Sequence, residues 1–331
     1  MFSLLAQAID QYNCRVRPFR FEKLSVSPHH EHTPAAKSPM PSKVNNTRNL
    51  RTRQTLGKYR IEQKLASGGF AVVYRAMDTI EGIRVALKVP HASIVDKEVL
   101  REFRREARLT AGLDHPNILP LKNATFIDDR FVIAFPLGEM TLCDRLRHRM
   151  ALSTKMNFSR QMLSAVSYAH RQRIIHCDIK PENFILFADN RLRLTDFGIA
   201  KIAYDRTVKA SGSGTIGYIA PEQAMGKPSL RSDVFSLGLV LYRMFSGHLP
   251  DWPYHWPLAG HDRLRGKVHR DLIIFLRKAV EVTPSKRFRD ATQMQRAFEE
   301  ICERVLRYDA AKRRRRQKIQ EQRKKKTTRR N

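Results

Sequence analysis

The stretch HCDIKPENF, residues 176–184, places an aspartate, a lysine and an asparagine at short fixed intervals. Lys180 follows Asp178 by two residues, and four residues separate Asp178 from Asn183. Taken singly, these side chains are ordinary, because a carboxylate can cap a turn and a lysine can lie on the surface. Their meaning depends on what the rest of the chain places around them.

Five further short motifs accompany this stretch in the chain. The glycine-rich turn ASGGFAVV spans residues 66–73, and the strand-like run VALK ends at Lys88. Glu106 lies in the predicted helix that follows, DFG spans residues 196–198 and APE spans residues 220–222. A glycine-rich turn alone would be a weak indication of function. Six motifs in this order, each in a suitable predicted element, are a specific pattern.

With these motifs, residues 59 to 305 resemble the catalytic domain of Ser/Thr protein kinases. The runs GTIGYIAPEQ and SDVFSLGLVLY resemble bacterial members more than animal ones. The resemblance implies an α+β bilobal kinase-like fold, with a small strand-rich N-lobe (57–137) and a larger helical C-lobe (138–305). It also implies transfer of the γ-phosphate of ATP, with Mg²⁺, to Ser/Thr hydroxyls of protein substrates. Lys180 matches Ser/Thr kinases rather than tyrosine kinases.

The same resemblance implies a role for each matching residue. Lys88 would hold the α- and β-phosphates of ATP and pair with Glu106, and Asp178 would accept or orient the proton of the substrate hydroxyl. The implied catalytic group is Asp178, Lys180 and Asn183, and the implied Mg²⁺ ligands are Asn183 and Asp196. The implied nucleotide site comprises Leu65, Ala66, Ser67, Gly68, Gly69, Phe70, Ala71, Val73, Ala86, Lys88, Glu106 and Asp196.

Other matching residues are implied to be structural. Glu222 is predicted to pair with Arg287, and Asp233 to cap the catalytic loop from a buried helix. His176 is predicted to pack in the core and not to act as a base. Thr215 resembles the family threonine that hydrogen-bonds the catalytic aspartate and lysine.

The position that the family calls the gatekeeper is predicted by counting back from Thr141. The count places Ala134 there, beside a hinge at residues 135–137, and a slip of the alignment would put Val132 or Ile133 there instead. A small side chain at this position predicts a deep apolar pocket that accepts bulky nucleotide analogues.

The chain departs from the family pattern at two places. The family turn reads G-x-G-x-x-G, and here the three positions are Ala66, Gly68 and Ala71, which predicts weaker or altered ATP binding but not its loss. Cys177 replaces the arginine that binds a phosphate on the activation loop, and cysteine cannot make a bidentate phosphate contact. We interpret Cys177 as a change in regulation. The alternative function is a pseudokinase or basic-tail scaffold that binds nucleotide and polyanions without catalysis.

The charge of the chain is strongly positive. Lys and Arg number 62 against 32 Asp and Glu, a net charge of +30, which favours a polyanionic partner such as nucleic acid, an anionic membrane face or an acidic protein. Residues 303–331 alone hold 14 Lys or Arg and 3 Asp or Glu. The basic C-terminal tail, residues 306–331, is therefore predicted either to bind polyanions or to be a solvated, disordered segment.

The remaining composition bounds the organisation of the chain. Residues 1–56 are rich in proline and polar residues and are predicted to be a disordered extension, with order beginning near Tyr59. No apolar run approaches the roughly 18 residues of a membrane span. The four scattered cysteines favour a reducing, cytoplasmic location. The sequence does not indicate the oligomeric state.

Overall fold

A computed structural model describes residues 49–91, 97–197 and 216–328 of the chain. The N-lobe is built on a six-stranded antiparallel sheet with the strand order β1-β2-β3-β4-β6-β5. Its strands are β1 (Thr55–Leu56), β2 (Tyr59–Ser67), β3 (Ala71–Asp78), β4 (Ile83–Pro90), β5 (Asn123–Ile127) and β6 (Arg130–Pro136).

Each face of this sheet buries a separate apolar cluster. Alternate residues of β3, among them Val72 and Tyr74, pack with Leu87 of β4 on the outer face. The inner face packs against helix α1 (Lys97–Ala111), which contributes Val99, Phe103 and Ala107. The spacing of these three residues follows the turn of a helix, so one stripe of α1 faces the sheet. Glu106 lies beside this stripe and is fully buried.

The C-lobe is mostly helical and holds the largest apolar cluster of the described residues. Helix α3 buries one apolar face in this cluster, formed by Phe158, Met162, Ala165, Val166 and Ala169. A small sheet with the order β7-β8-β9 lies at the start of the lobe. The elements are β7 (Met140–Thr141), α2 (Leu142–Arg145), α3 (Leu152–Arg171), β8 (Phe184–Leu186), β9 (Leu192–Leu194), α4 (Pro221–Ala224), α5 (Leu230–Ser246), α6 (Arg270–Ala279) and α7 (Ala291–Thr328), with 3₁₀ turns at Pro181–Asn183, Ile216–Tyr218, His261–Arg263 and Pro284–Lys286.

The ordered chain begins earlier than Tyr59, contrary to the prediction that residues 1–56 are disordered. Leu50 is buried in the outer cluster of the sheet, and its backbone N–H donates to the hydroxyl of Tyr74. Strand β1 pairs with the start of β2. Burial of Leu50 and Leu56 against the sheet fixes this segment, although its local composition is polar. Residues 1–48 lie outside the described part of the chain.

Helix α7 continues through the predicted boundary at residue 306. Its buried stripe includes Met294, Phe298 and Val305, and the helix then runs on as far as Thr328. Arg313 pairs with Asp309 at 2.8 Å one helical turn away. Lysine, arginine and glutamine are good helix formers and such i,i+4 pairs add support, so a helix can persist here with few apolar contacts.

Among the residues that the structure describes, no helix is both long enough and apolar enough to cross a membrane.

Candidate active site

Three charged side chains from distant parts of the sequence meet beneath the inner face of the sheet. Lys88 extends from β4, and its Nζ atom lies 2.7 Å from Oε1 of Glu106 on α1. The same Nζ atom lies 2.6 Å from Oδ1 of Asp196, which follows β9. The structure therefore brings together the predicted phosphate anchor, its partner on the helix and one predicted metal ligand.

The pKa values of these groups follow from burial and from their contact. Burial of Glu106 raises its pKa to about 7, and its second oxygen, Oε2, has no hydrogen-bond partner among the described residues. Burial opposes the charge on Lys88, but Asp196 and Glu106 outweigh it, and the pKa of Lys88 is raised. Burial also opposes the charge on Asp196, yet Lys88 lowers the pKa of that carboxyl. Lys88 and Asp196 are therefore charged at neutral pH.

The stretch HCDIKPENF forms a compact polar loop. Oδ2 of Asp178 accepts a hydrogen bond from Nδ2 of Asn183 at 2.9 Å and lies 2.8 Å from Nζ of Lys180. Nδ2 of Asn183 also donates to the backbone oxygen of Asp178 at 2.7 Å. These contacts fix one oxygen of a carboxylate whose side chain remains 37% exposed, so the group is both oriented and accessible.

Asn183 and Asp196 are held in neighbouring positions by the backbone. The N–H of Thr195 donates to the backbone oxygen of Asn183 at 2.9 Å. Because the amide nitrogen of Asn183 donates both of its bonds to Asp178, the side-chain oxygen is left to act as an acceptor. A carboxylate and an amide oxygen are hard ligands, and this pair suits Mg²⁺ shared with the oxygens of a bound phosphate.

His176 is buried and packs in the core, as predicted. Its ring lies 4.8 Å from the ring of Phe197 in an edge-to-face arrangement. Nδ1 accepts from the N–H of Asp178, and Nε2 lies 2.9 Å from the backbone oxygen of Thr195. Both ring nitrogens are therefore engaged with the backbone, and these contacts fix the loop.

Two further structural predictions are confirmed. Asp233 accepts hydrogen bonds from the N–H groups of His176 and Cys177, at 2.7 and 2.9 Å, so it caps the catalytic loop from α5. Arg287 makes a bidentate contact with Glu222, with N···O distances of 2.7 and 3.0 Å. The predicted role of Thr215 falls outside the described residues.

The glycine-rich turn connects β2 to β3 above this site. Ala66 and Ala71 belong to the two strands, and neither has a positive φ. A Cβ atom on Gly69 would meet nothing within 4 Å. Because the backbone at Ala66 and Ala71 is that of a regular strand, alanine fits both positions where the family has glycine. The turn therefore has no steric reason to be defective.

The gatekeeper prediction at Ala134 is wrong. In the pairing of β4 with β6, Lys88 lies opposite Ile133, Leu87 opposite Ala134 and Ala86 opposite Phe135. Residues opposite each other in an antiparallel pair share a face, and Ala134 packs with Leu87 in the outer cluster. Phe135 lies on the inner face with Lys88 and belongs to the inner cluster. Ile133, one of the two alternatives in the prediction, also lies on the inner face, directly opposite Lys88. The inner face of β6 therefore carries Ile133 and Phe135 and not the small side chain of Ala134.

Several residues that contribute to the site were not identified from the sequence. Nε2 of His91, just after β4, lies 2.8 Å from the backbone oxygen of Gly68 and ties the glycine-rich turn to the sheet. Nε2 of His170 lies 3.0 Å from Oδ2 of Asp233. Gln223 donates from Nε2 to the backbone oxygen of Cys177 at 2.6 Å. The only sequence signal was the position of Gln223 directly after the APE motif.

Comparison with known proteins agrees with this geometry. The sequence profile of the protein kinase domain matches residues 59–323. The chain is 36% identical over 201 residues to serine/threonine-protein kinase PrkC of Bacillus subtilis. This match covers 59% of this chain and 31% of PrkC. It is 35% identical over 209 residues to serine/threonine-protein kinase PknA of Mycobacterium tuberculosis. That match covers 59% of this chain and 48% of PknA. The chain thus spans less than half the length of these curated relatives.

The fold is also that of solved structures. The crystal structure of the Mycobacterium tuberculosis PknI kinase domain matches with a TM-score of 0.59 and 24% identity, over 76% of this chain and 99% of that domain. The two-lobed arrangement, a strand-rich N-lobe and a helical C-lobe, is the α+β fold that the motifs predicted. This chain belongs to the protein kinase family.

The connection between the lobes generates a prediction at Gly138. A Cβ atom there would collide with Cγ2 of Ile185 and lie 2.9 Å from the backbone oxygen of Leu186. We expect Gly138→Ala to lower the free energy of unfolding by about 1–3 kcal/mol, because β8 must shift to make room. Urea denaturation measures the change. Gly69→Ala is the matched control, since its methyl group meets open space. A free energy of unfolding that Gly138→Ala leaves unchanged would contradict the close approach of Gly138 to β8.

Proposed function

We propose that this chain is a protein kinase that transfers the γ-phosphate of ATP, with Mg²⁺, to Ser/Thr hydroxyls of protein substrates. The observation that carries the proposal is the pair of contacts from Lys88 to Glu106 and to Asp196, at 2.7 and 2.6 Å. They support an assembled site, since the ion pair to the helix and the metal-binding aspartate must both be in place for transfer. Residues 57–305 are proposed as the catalytic unit.

The proposed mechanism assigns one task to each group. A bond forms between the substrate oxygen and the γ-phosphorus while the bond to the departing ADP breaks, so catalysis is mainly positioning and charge stabilisation. Asp178, held through Oδ2, orients the substrate hydroxyl and receives its proton. Lys180, whose Nζ atom lies 2.8 Å from the same carboxylate, would contact the transferring phosphate. Lys88 holds the α- and β-phosphates. Asp196 and Asn183 would hold Mg²⁺, which neutralises phosphate charge when bound.

The alternative is a pseudokinase that binds nucleotide without transfer. Its support was the loss of two glycines from the turn, at Ala66 and Ala71. Both alanines lie in regular strands without positive φ, so the backbone of the turn does not need glycine there. The polar contacts around Asp178 favour the active enzyme, because a scaffold has no need of an oriented, accessible carboxylate.

The first test of the proposed activity uses radiolabelled ATP, Mg²⁺ and a generic basic protein substrate. We expect Asp178→Asn, Asp196→Asn and Lys88→Met each to reduce phosphate transfer at least about a hundredfold. Lys88→Met should remain folded, because Glu106, whose pKa burial already raises to about 7, can take up a proton when its partner is lost.

The matched control for these variants is Asp114→Asn, at an exposed carboxylate outside the site. It should transfer phosphate like the wild type. Equal residual transfer by the wild type and Asp196→Asn would overturn the kinase proposal and favour the scaffold. Phosphoamino-acid analysis of the product separates Ser/Thr transfer from tyrosine transfer.

The second test concerns the shape of the nucleotide pocket. Because Phe135 shares the inner face with Ala86 and Lys88, the wild type should reject ATP analogues with a bulky N6 substituent. We expect Phe135→Leu to raise kcat/KM for N6-benzyl-ATP relative to ATP by about tenfold or more. The reason is that leucine is smaller than phenylalanine and leaves room in the apolar pocket for the N6 substituent. Ala134→Gly is the control on the opposite face. A gain in Ala134→Gly alone would support Ala134 as the gatekeeper.

A second proposal concerns the basic segment 306–331, which we propose binds polyanions. Helix α7 supports it by presenting exposed cations beyond the core. Arg314, Arg315, Arg316 and Lys318 are exposed and form no ion pair with the described residues. A location in the cytoplasm is likewise proposed, and the free thiols of Cys143 and Cys302 support it.

Fluorescence anisotropy with a labelled DNA duplex tests polyanion binding. We expect the affinity for the duplex to fall steeply as the salt concentration rises. The variant with Arg314, Arg315 and Arg316 all changed to Gln should bind more weakly. Its affinity should also depend less on salt concentration, because fewer counterions are released on binding. A matched triple change of the exposed Arg101, Arg104 and Arg105 on α1 controls for net charge. Equal losses in both variants would mean that overall charge, and not the C-terminal helix, drives binding.

A further inference from the structure

The backbone at Cys177 adopts a conformation that needs external support. Cys177 has φ of +64°, in the left-handed region that side chains other than glycine rarely adopt. The conformation is held on one side by Asp233, whose two oxygens accept the N–H groups of His176 and Cys177. Asp233 is only 1% exposed, and burial makes this double contact difficult for water to replace.

The other side of the same residue is held by a different element. Nε2 of Gln223, on α4, donates to the backbone oxygen of Cys177 at 2.6 Å. Gln223 is only 7% exposed, and its own Oε1 atom is buried without a hydrogen-bond partner among the described residues. The amide of Gln223 therefore uses its N–H donor, while its oxygen stays without a hydrogen bond from the described residues. This indicates that the contact with the backbone oxygen of Cys177 is the reason for a glutamine at this position.

Helix α4 is itself firmly anchored. Glu222, the neighbour of Gln223, makes the bidentate contact with Arg287 and also accepts from the hydroxyl of Ser232 at 2.8 Å. Arg287 is 4% exposed and donates further to backbone oxygens at Arg231 and Val282. Gln223 thus projects from a fixed helix onto the catalytic loop.

We infer that Gln223 is a positioning residue for Asp178: its amide and the carboxylate of Asp233 hold the peptide units on both sides of Cys177 and so set the direction of the next side chain. This inference rests on the proposed kinase function. The two contacts reach only backbone atoms of residue 177, so they orient the loop whatever its side chain. They give a physical reason why cysteine can stand where the family has arginine without loss of the loop conformation.

The test replaces the donor in two ways. Gln223→Met keeps the length and apolar body of the side chain but cannot donate, and we expect kcat for phosphate transfer to fall about tenfold with the KM for ATP unchanged, because Asp178 is misdirected while the nucleotide residues stay in place. Hydrogen exchange of the peptide spanning residues 172–184 should become faster in this variant.

Gln223→Glu adds a readout that a purely structural role would not move. Its carboxylate would repel the backbone oxygen of Cys177, but the protonated acid can donate to it. The nearby carboxylates already have partners: Glu222 pairs with Arg287, and Asp233 accepts hydrogen bonds from Nε2 of His170 and from two backbone N–H groups. Burial raises the pKa of such an acid, so the ratio of Gln223→Glu activity to wild-type activity should rise as the pH falls from about 8.5 to 6.

The controls separate the outcomes. Gln172→Glu adds the same charge at an exposed site and should give a pH-independent ratio. Wild-type kcat and unchanged exchange in Gln223→Met, or a flat pH ratio in Gln223→Glu, would overturn the positioning role. An inactive wild type would instead defeat the proposed function, and the exchange measurement would still report whether Gln223 holds the loop. If Gln223→Met does not fold, the pH ratio of Gln223→Glu decides.

Discussion

The contact of Lys88 with two carboxylates is the interaction on which the two lobes and the site depend. It joins strand β4 to helix α1 and to the segment after β9. Glu106 and Asp196 follow Lys88 in the sequence by 18 and 108 residues. Glu106 is fully buried, and the ionised form of a buried carboxyl needs a close cation. The position of α1 against the sheet is therefore coupled to the position of Asp196. Any displacement of the helix removes a partner from the lysine.

The second constraint is the strained backbone around the predicted catalytic loop. Cys177 and Asp196 both have positive φ, of 64° and 66°, although neither is glycine. Such residues cost about 1–3 kcal/mol each and persist only when the surroundings hold them. At Cys177 the surroundings are buried polar groups from the C-lobe, chiefly Asp233 and Gln223. The side chain of Asp196 is held by Lys88. The apolar core of the C-lobe fixes the helices that carry these groups, so packing far from the site maintains its geometry.

These two constraints also account for how the chain departs from its family without losing the site. Ala66 and Ala71 lie in strands whose conformation alanine readily adopts, and the loop at Cys177 is held through its backbone. The departures thus fall where the side chain is not needed for the local fold. The residues proposed to contact a phosphate, a metal or a hydroxyl, namely Lys88, Asp178, Asn183 and Asp196, are retained.

The sequence by itself determined the fold class and the residues of the candidate site, because six motifs in one order, five of them with a charged residue, do not arise together by chance. The pairs Glu222 with Arg287 and Asp233 with the loop were implied by the family resemblance. Only the tertiary structure decided which face a residue occupies in β6, since the run FVIAFP is apolar on both faces and gives no alternation to follow. Strand pairing with β4 put Phe135, not Ala134, on the face of the sheet that carries Lys88. The order of Leu50, the length of α7 and the contact of Gln223 likewise depend on packing between distant segments, which local sequence patterns do not encode.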